Sequence, residues 1–515
     1  MSAASAPRPL TGASLVLGTL ALSLATFMNV LDTSIANVSL PAIAGNLGAS
    51  PNQGTWVITS FGVANAISVP LTGWLAQRLG AVRLFTASVL LFVLTSWLCG
   101  FAPTLEALIF FRILQGLVAG PMIPLSQALL LSTYPPERSG TALSMWSMTT
   151  LVAPVAGPLL GGWITDNVSW PWIFYINIPV GLLAAGVTWA IYRHRETPTR
   201  KLPIDGVGLA LLVLWVGALQ VLLDKGKELD WFHSPVIIAL GAVSLVGFIV
   251  FLIWELTAEH PIVDLRLFSR RNFAFGVATL SLAWLVYFGN VVLLPLWLQQ
   301  YLGYTATAAG FALAPVGVLA VLLSPFVGRI LPRVDPRWIS TTSFLIFTGV
   351  LLARAQYTPQ VDQWSIMVPT FIQGAAVACL FTPLVAVIIS GLDPARIPSA
   401  TGLSNFVRIT AGAFGTSITT TLWDDRATLH HAHLTEFLTS ASAEAAEGFA
   451  KLGSLGLNAQ QTAAQLNRII DQQAFTWAAD DIFLGSALLF ASLIAVVWMT
   501  RPARTSGPVD TGGAH

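Results

Sequence analysis

Fourteen mostly apolar runs, each long enough to cross a bilayer as a helix, constrain this chain more than any other feature of it. A helix rises about 1.5 Å per residue, so about 20 residues cover roughly 30 Å of hydrocarbon. The runs fall near 14–36, 54–76, 83–101, 106–130, 140–165, 172–192, 206–223, 234–256, 273–297, 306–328, 338–356, 364–390, 400–422 and 481–499. What lies between them does not restore a soluble composition. Charged residues make up 10% of the chain and the mean hydropathy is +0.73, whereas soluble domains carry about 25% charge. In lipid every backbone group must be satisfied within its own segment, so an all-α integral membrane protein follows. The 42 glycines and 30 prolines fit that reading, because neighbouring membrane helices re-satisfy the backbone groups they free. The first run exceeds the roughly 7–15 residues of a secretory signal and is expected to be a retained first span.

Lys and Arg stay on the cytoplasmic side during insertion. With the N-terminus inside, Arg78, Arg83, Arg138, Arg193, Arg195, Arg270, Arg271, Arg333, Arg396 and Arg501 all fall in cytoplasmic segments. The short outer loops then hold only Lys225, Lys227 and Arg354. An even number of spans with both termini cytoplasmic is the expected topology. The net charge of +1 sets up no field that would draw a nucleic acid. Cys99 and Cys379 lie inside apolar runs and read as small buried hydrophobes.

The two ends of the chain repeat each other. Pro70, Gly73 and Arg78 recur as Pro325, Gly328 and Arg333 at an offset of 255, and Gln115, Gly116, Arg138 and Gly157 recur as Gln373, Gly374, Arg396 and Gly415 at an offset of 258. The first six spans end near residue 192, so the offset leaves room for two inserted helices. The expected division is a six-helix half over 1–195, an inserted pair over 196–260, and a second six-helix half over 261–515 that includes a long outer loop at 424–480. Halves related in this way build the alternating midplane cavity of many secondary transporters.

Charges inside apolar helices are costly and need a reason. Asp32 lies about 27 Å from the inner start of the first run and Arg112 about 9 Å from the outer start of the fourth, so both fall in the outer third. At matched depth they can pair. Such a pair either pins two helices permanently or carries a proton, since protonating the acid changes its charge. In the fifth run Pro154, Gly157, Pro158, Gly161 and Gly162 make either a close packing seam or a hinge. Gly73, Arg78, Gly80 and Arg83 form a short basic turn between the second and third runs.

These four segments resemble the motifs of the major facilitator superfamily, and within it the fourteen-helix drug:proton antiporters. The patterns are LDxxxxNxxLP at 31–41, RxxxG at 112–116, GPxxGG at 157–162 and GxLAxRxG at 73–80. The segments 54–62 and 172–179 are similar to those of the inner-membrane pumps of tripartite efflux systems, and the likeness extends over nearly the whole chain. The resemblance implies a major facilitator fold in the cell inner membrane. It implies Asp32 and Arg112 as the proton-coupling pair and the fifth-helix motif as a mark of antiport. It also implies a periplasmic adaptor as partner and, through it, an outer-membrane channel. Gln77 and Ala81 depart from the family's loop, which usually has an acid and a base there, so a charge relay in that loop is not expected.

Candidates for the substrate cavity are Asn29, Gln115, Met145, Trp146, Tyr287, Asn290, Gln373 and Arg408, because large or polarizable side chains suit varied hydrophobic ligands. Arg408 is a second intramembrane charge with no assignable partner in the sequence. The outer loop carries a helix-like stretch at 441–447 and the cluster His430, His431 and His433, whose loose spacing does not make a metal site. Clustered nucleophiles and ATP-binding motifs are missing, so the expected activity is transport driven by an ion gradient rather than enzymatic turnover. No cofactor is implied. Import of a solute on the same fold is the competing expectation.

Overall fold

The computed structural model describes residues 10–49, 51–135, 138–200, 203, 205–259, 261–393, 396–436, 447–448, 450–452, 454 and 458–502. Among these residues there is no strand, and the chain forms fourteen long helices, some of them broken once. They are α1 (Gly12–Asn46), α2 (Trp56–Leu79), α3 (Ala81–Gly100), α4 (Leu105–Thr133), α5 (Ser139–Asn167), α6 (Trp172–Tyr192) and α7 (Gly206–Lys225). They continue with α8 (Pro235–Thr257), α9 (Arg271–Gln300), α10 (Ala308–Ile330), α11 (Pro336–Arg354), α12 (Gln363–Ile389), α13 (Ile397–Glu436) and α14 (Ala459–Trp498). Eleven are long and apolar enough to cross a membrane; α5, α11 and α13 are long but richer in Ser, Thr and Gly. The breaks have local causes. Pro70 tightens α2 into a 3-10 turn at Val69–Leu71, because proline cannot donate to the helix ladder. Gly80 ends α2 at φ 93°, a backbone that a side chain would strain.

The sequence repeat returns as a repeat of packing. Within the first six helices α1 packs on α5 and α6, α2 on α4, and α3 on α4 and α6. Among the last six, α9 packs on α13 and α14, α10 on α12, and α11 on α12 and α14. Adding eight to each number of the first set yields the second. The close approaches repeat as well. A Cβ on Gly116 would lie 2.4 Å from the Phe61 carbonyl, and one on Gly374 would lie 2.4 Å from the Val316 carbonyl. The inserted α7 and α8 pack on each other, and α8 exposes most of its surface.

The two sets of six meet through α5 against α10 and α2 against α13, which are exchanged by the same pseudo-symmetry. At the arginine-rich end the contact is backbone-close. A Cβ on Gly328 would fall 2.7 Å from the Gly140 carbonyl, and one on its repeat partner Gly73 would fall 2.7 Å from Ser399 Cα. The molecule is therefore closed at that end. The inserted pair is tied to both sets at the opposite end: Thr59 donates to Asp224 (2.5 Å), Lys225 donates to Thr55 (2.7 Å), and Ser417 donates to the Leu223 carbonyl (2.8 Å).

Two expectations change. Residues 424–436 and 459–480 are helical continuations of α13 and α14 rather than loop, and they pack as a hairpin. Tyr301 stacks on Phe475 at 4.2 Å and Trp423 donates to the Phe475 carbonyl, which anchors the base of that hairpin. The stretch 441–446 lies outside the described residues. Arg354, expected in an outer loop, is the last residue of α11 and is buried.

Candidate functional site

Asp32 of α1 and Arg112 of α4 are both buried, with Arg112 Nη1 2.6 Å from Asp32 Oδ2. Each charge is over-determined by its surroundings. Asp32 Oδ1 accepts from Asn177 Nδ2 (2.8 Å) and Gln115 Nε2 (3.2 Å), so three donors from two helices, α4 and α6, hold the carboxylate. Arg112 donates through Nε to the Val57 carbonyl (3.0 Å) and through Nη1 to Gln115 Oε1 (2.7 Å). Its guanidinium lies 4.2 Å from the Phe61 ring centroid and 5.6 Å from that of Phe174. Ser96 accepts from both Gln115 (2.8 Å) and Asn177 (3.3 Å), and so orients both amides toward Asp32. One donor, Arg112 Nη2, is buried with no hydrogen-bond partner.

A buried ion pair surrounded by donors stays ionised only while its geometry is kept. Adding a proton to Asp32 would remove the negative charge, leave Arg112 uncompensated and put an O–H among groups that all donate. Gly157 and Gly161 of α5 pack beside this site: a Cβ on Gly157 would fall 2.3 Å from Ser34 Oγ, and one on Gly161 3.1 Å from the Ile35 carbonyl. Their bare backbone lets α5 touch α1 two and three residues beyond the acid. Gly162 faces open space, and the side chains of Pro154 and Pro158 lie outside the described residues.

The loop motif serves a neighbouring junction. Glu196, after α6, accepts from the backbone N–H groups of Val82 and Arg83 and caps α3, while Arg78 lies over the Trp74 ring at 5.3 Å. Gln77 borders a cavity with Arg396 and Asp264, which form an ion pair across it.

The remaining sequence candidates separate into four places. Gln115 belongs to the Asp32–Arg112 site. Asn29 braces α1 to the Ala119 carbonyl of α4 at 3.2 Å. Inside the last six helices, Gln373 accepts from Arg354 (2.8 Å) and Asn290 donates to Ser486 (3.0 Å). Trp146, Tyr287 and Arg408 gather at the seam between the two sets: Trp146 stacks on Phe381 (5.2 Å), and Trp284 lies 5.7 Å from Tyr287 and beneath Arg408. Met145 lies nearby, its sulfur 3.8 Å from the Tyr134 hydroxyl. Sequence reasoning passed over Ser96 and left Asn177 without a role; an amide and a hydroxyl at the depth of an intramembrane charge are the only signal that marks them.

The histidines do not converge. His430 meets Asp481 (2.8 Å) and His431 meets Asn467 (3.2 Å), both across the hairpin, and no three metal-capable side chains cluster among the described residues.

A many-helix membrane protein with a repeated six-helix plan and one buried ion pair between packed helices is a secondary transporter, not an enzyme, and residues 22–416 match the Major Facilitator Superfamily, to which this chain belongs. Its relatives are close and full-length. It is 52% identical over 99% of both chains to the multidrug export protein EmrB of Escherichia coli (strain K12). It is 50% identical to the fatty acid resistance protein FarB of Neisseria gonorrhoeae over 98% of this chain and 99% of that one. Among solved structures, the human organic anion transporter MFSD10 shares the fold at TM-score 0.56 and 14% identity, over 94% of this chain and 98% of that one.

Proposed function

We propose that this protein exports hydrophobic and amphipathic compounds across the inner membrane in exchange for protons. The observation that carries the reading is the buried Asp32–Arg112 pair with its ring of donors. A carboxylate so placed is discharged by one proton, and the helix it sits on touches α5, which in turn touches α10 of the other half. A proton can therefore bias two packings of the same helices. The similarity to multidrug export proteins favours export of drugs over import of a nutrient. With the arginine-rich end cytoplasmic, the conformation described is closed to the cytoplasm.

In this reading residues 1–195 and 261–515 are the moving halves and 196–260 an inserted pair. The α5 motif of Pro154, Gly157, Pro158, Gly161 and Gly162 is the hinge, and the seam around Trp146, Tyr287 and Arg408 is part of the substrate path. The helical hairpin that extends α13 and α14 is the docking element for a periplasmic adaptor, and through it for an outer-membrane channel. The test is reconstitution into vesicles with an imposed pH gradient, following accumulation of a lipophilic dye. Gradient-dependent accumulation is expected. Transport that ignores the gradient and requires ATP would overturn the proposal.

A further inference from the structure

Arg408 is a cation that the Asp32 site does not use. It lies on α13 about 17 Å from the helix start, near the middle of a bilayer, and is 6% exposed. No carboxylate makes an ion pair with it among the described residues. Its one hydrogen bond runs from Nη2 to Asn405 Oδ1 (2.7 Å), and Nε has no partner. The guanidinium is held between rings, 4.3 Å from the Trp284 centroid and 5.2 Å from that of Phe381.

Its position is what separates it from an ordinary structural arginine. Arg354, also buried, donates to Thr370 and Gln373 inside one half. Arg408 instead stands at the seam. Asn405, which holds it, donates to Gln127 of α4 in the other half (3.2 Å), and Phe381 stacks on Trp146 of α5. Gln127 Nε2 is likewise buried without a partner. Two donors without a hydrogen-bond partner, one of them cationic, thus lie at a seam that has aromatic walls.

A buried unpaired cation is costly to keep, and a group that would repay it must supply oxygen acceptors and negative charge. A ligand that also fits the rings must be apolar behind that group. We propose that Arg408, with Gln127, binds the headgroup of a hydrophobic organic anion, a carboxylate or its like, whose apolar body lies against Trp146, Trp284 and Phe381. The inference rests on the export reading above, because a seam between halves becomes a ligand site only when the halves part.

The test is equilibrium dialysis with purified full-length protein in lipid nanodiscs, using a naphthalene carboxylate and its uncharged amide. A charge-assisted hydrogen bond predicts that the wild type prefers the carboxylate by about 10- to 100-fold. Arg408→Gln should bring that preference close to one. Arg408→Lys should keep part of it, since the charge stays and the planar fork goes. Gln127→Leu, which leaves every charge in place, should lower it severalfold. The preference is a ratio within one preparation, so a lower yield of folded variant does not mimic the result. An unchanged ratio in Arg408→Gln, or no preference in the wild type, overturns the proposal. Gradient-driven uptake of a neutral dye by wild-type vesicles reads the export function separately: its failure sinks export without altering the binding ratio, and its success leaves the ratio free to refute the anion site.

Discussion

Replacing Asp32 with Asn removes one charge and almost no volume, and the surroundings decide what that costs. The carboxylate accepts from Arg112, Gln115 and Asn177 at 2.6, 3.2 and 2.8 Å. An Asn amide has one oxygen to offer and must turn its NH2 toward donors. If the oxygen stays on Arg112, the NH2 meets Gln115 Nε2 and Asn177 Nδ2; Gln115 is not free to turn over, because its Oε1 accepts from Arg112 and its Nε2 donates to Ser96. Arg112 meanwhile becomes an uncompensated buried cation. Leaving one partner of a buried ion pair alone costs about 3–5 kcal/mol, equivalent to roughly 10²- to 10⁴-fold in any equilibrium that needs the intact pair. In proteoliposomes with an imposed pH gradient, Asp32→Asn should lower uphill export by at least about 100-fold. Exchange of labelled for unlabelled substrate with no gradient, which needs no net proton movement, should fall far less. A well-folded Asn variant that concentrates substrate at the normal rate with normal pH dependence would remove Asp32 from coupling. A variant that fails equally in both assays would make the pair a helix pin.

Asn177→Leu should cut gradient-driven export several- to about 100-fold, since an unmet lone pair on a buried carboxylate costs about 1–3 kcal/mol, and the same transport assay reads it. Gly328→Val forces a side chain to within 2.6 Å of Ser144 Oγ and 2.7 Å of the Gly140 carbonyl; maleimide labelling of a cysteine placed at Ser399 should rise as the arginine-rich end opens. At Asp335, burial pushes the carboxyl up, but the side-chain and backbone hydrogen bonds and the charge of Arg337 more than offset that and hold it below its ordinary value. A depressed carboxylate stabilises the fold above its unfolded pKa of about 3.9 and loses that contribution as pH falls through the lower folded value. Thermal melts of Asp335→Asn should therefore lie slightly below wild type at pH 7, by no more than about 1 kcal/mol, and the two should converge only well into acid. Replacing residues 434–464 with a short Gly/Ser linker should spare vesicle transport and abolish adaptor cross-linking in cells; unchanged cross-linking would clear the hairpin of docking.

The spans and the repeat were legible because each leaves a redundant signal: twenty apolar residues in a row, or Pro, Gly and Arg returning at one spacing. The contact of Asp32 with Arg112 was legible for a different reason, the cost of a charge in lipid. Ser96 and Asn177 left no such mark, because hydroxyls and amides in membrane helices are cheap and find partners easily. Arg354 was misplaced for the reason that made Arg112 visible. It lies two residues inside the end of the 338–356 run, and because a charge in lipid is costly it reads as part of the adjoining loop, whereas the fold buries it against Thr370 and Gln373. The extensions of α13 and α14 escaped because a helix that continues past its apolar stretch no longer needs an apolar surface.

The repeat also shows where the two halves stop being equivalent. At the offset of 258, Asp32 corresponds to Asn290, Ser96 to Arg354, Arg112 to Thr370 and Gln115 to Gln373. The geometry keeps pace with the sequence. Arg354 reaches Thr370 and Gln373 as Arg112 reaches Gln115, and Asn290 bonds to Ser486 of α14 as Asp32 bonds to Asn177 of α6. The second half thus retains an amide, an arginine and their helix contacts but has an Asn where the first half has the acid. An arginine stays protonated at any physiological pH, so this corner cannot respond to a proton as the first one can. Asymmetry of that kind suits a machine with two jobs. In the proposed exchange of drug for proton, one half would change charge with the proton, the other would keep its charge fixed, and the seam between them that holds Arg408 would lie between the two.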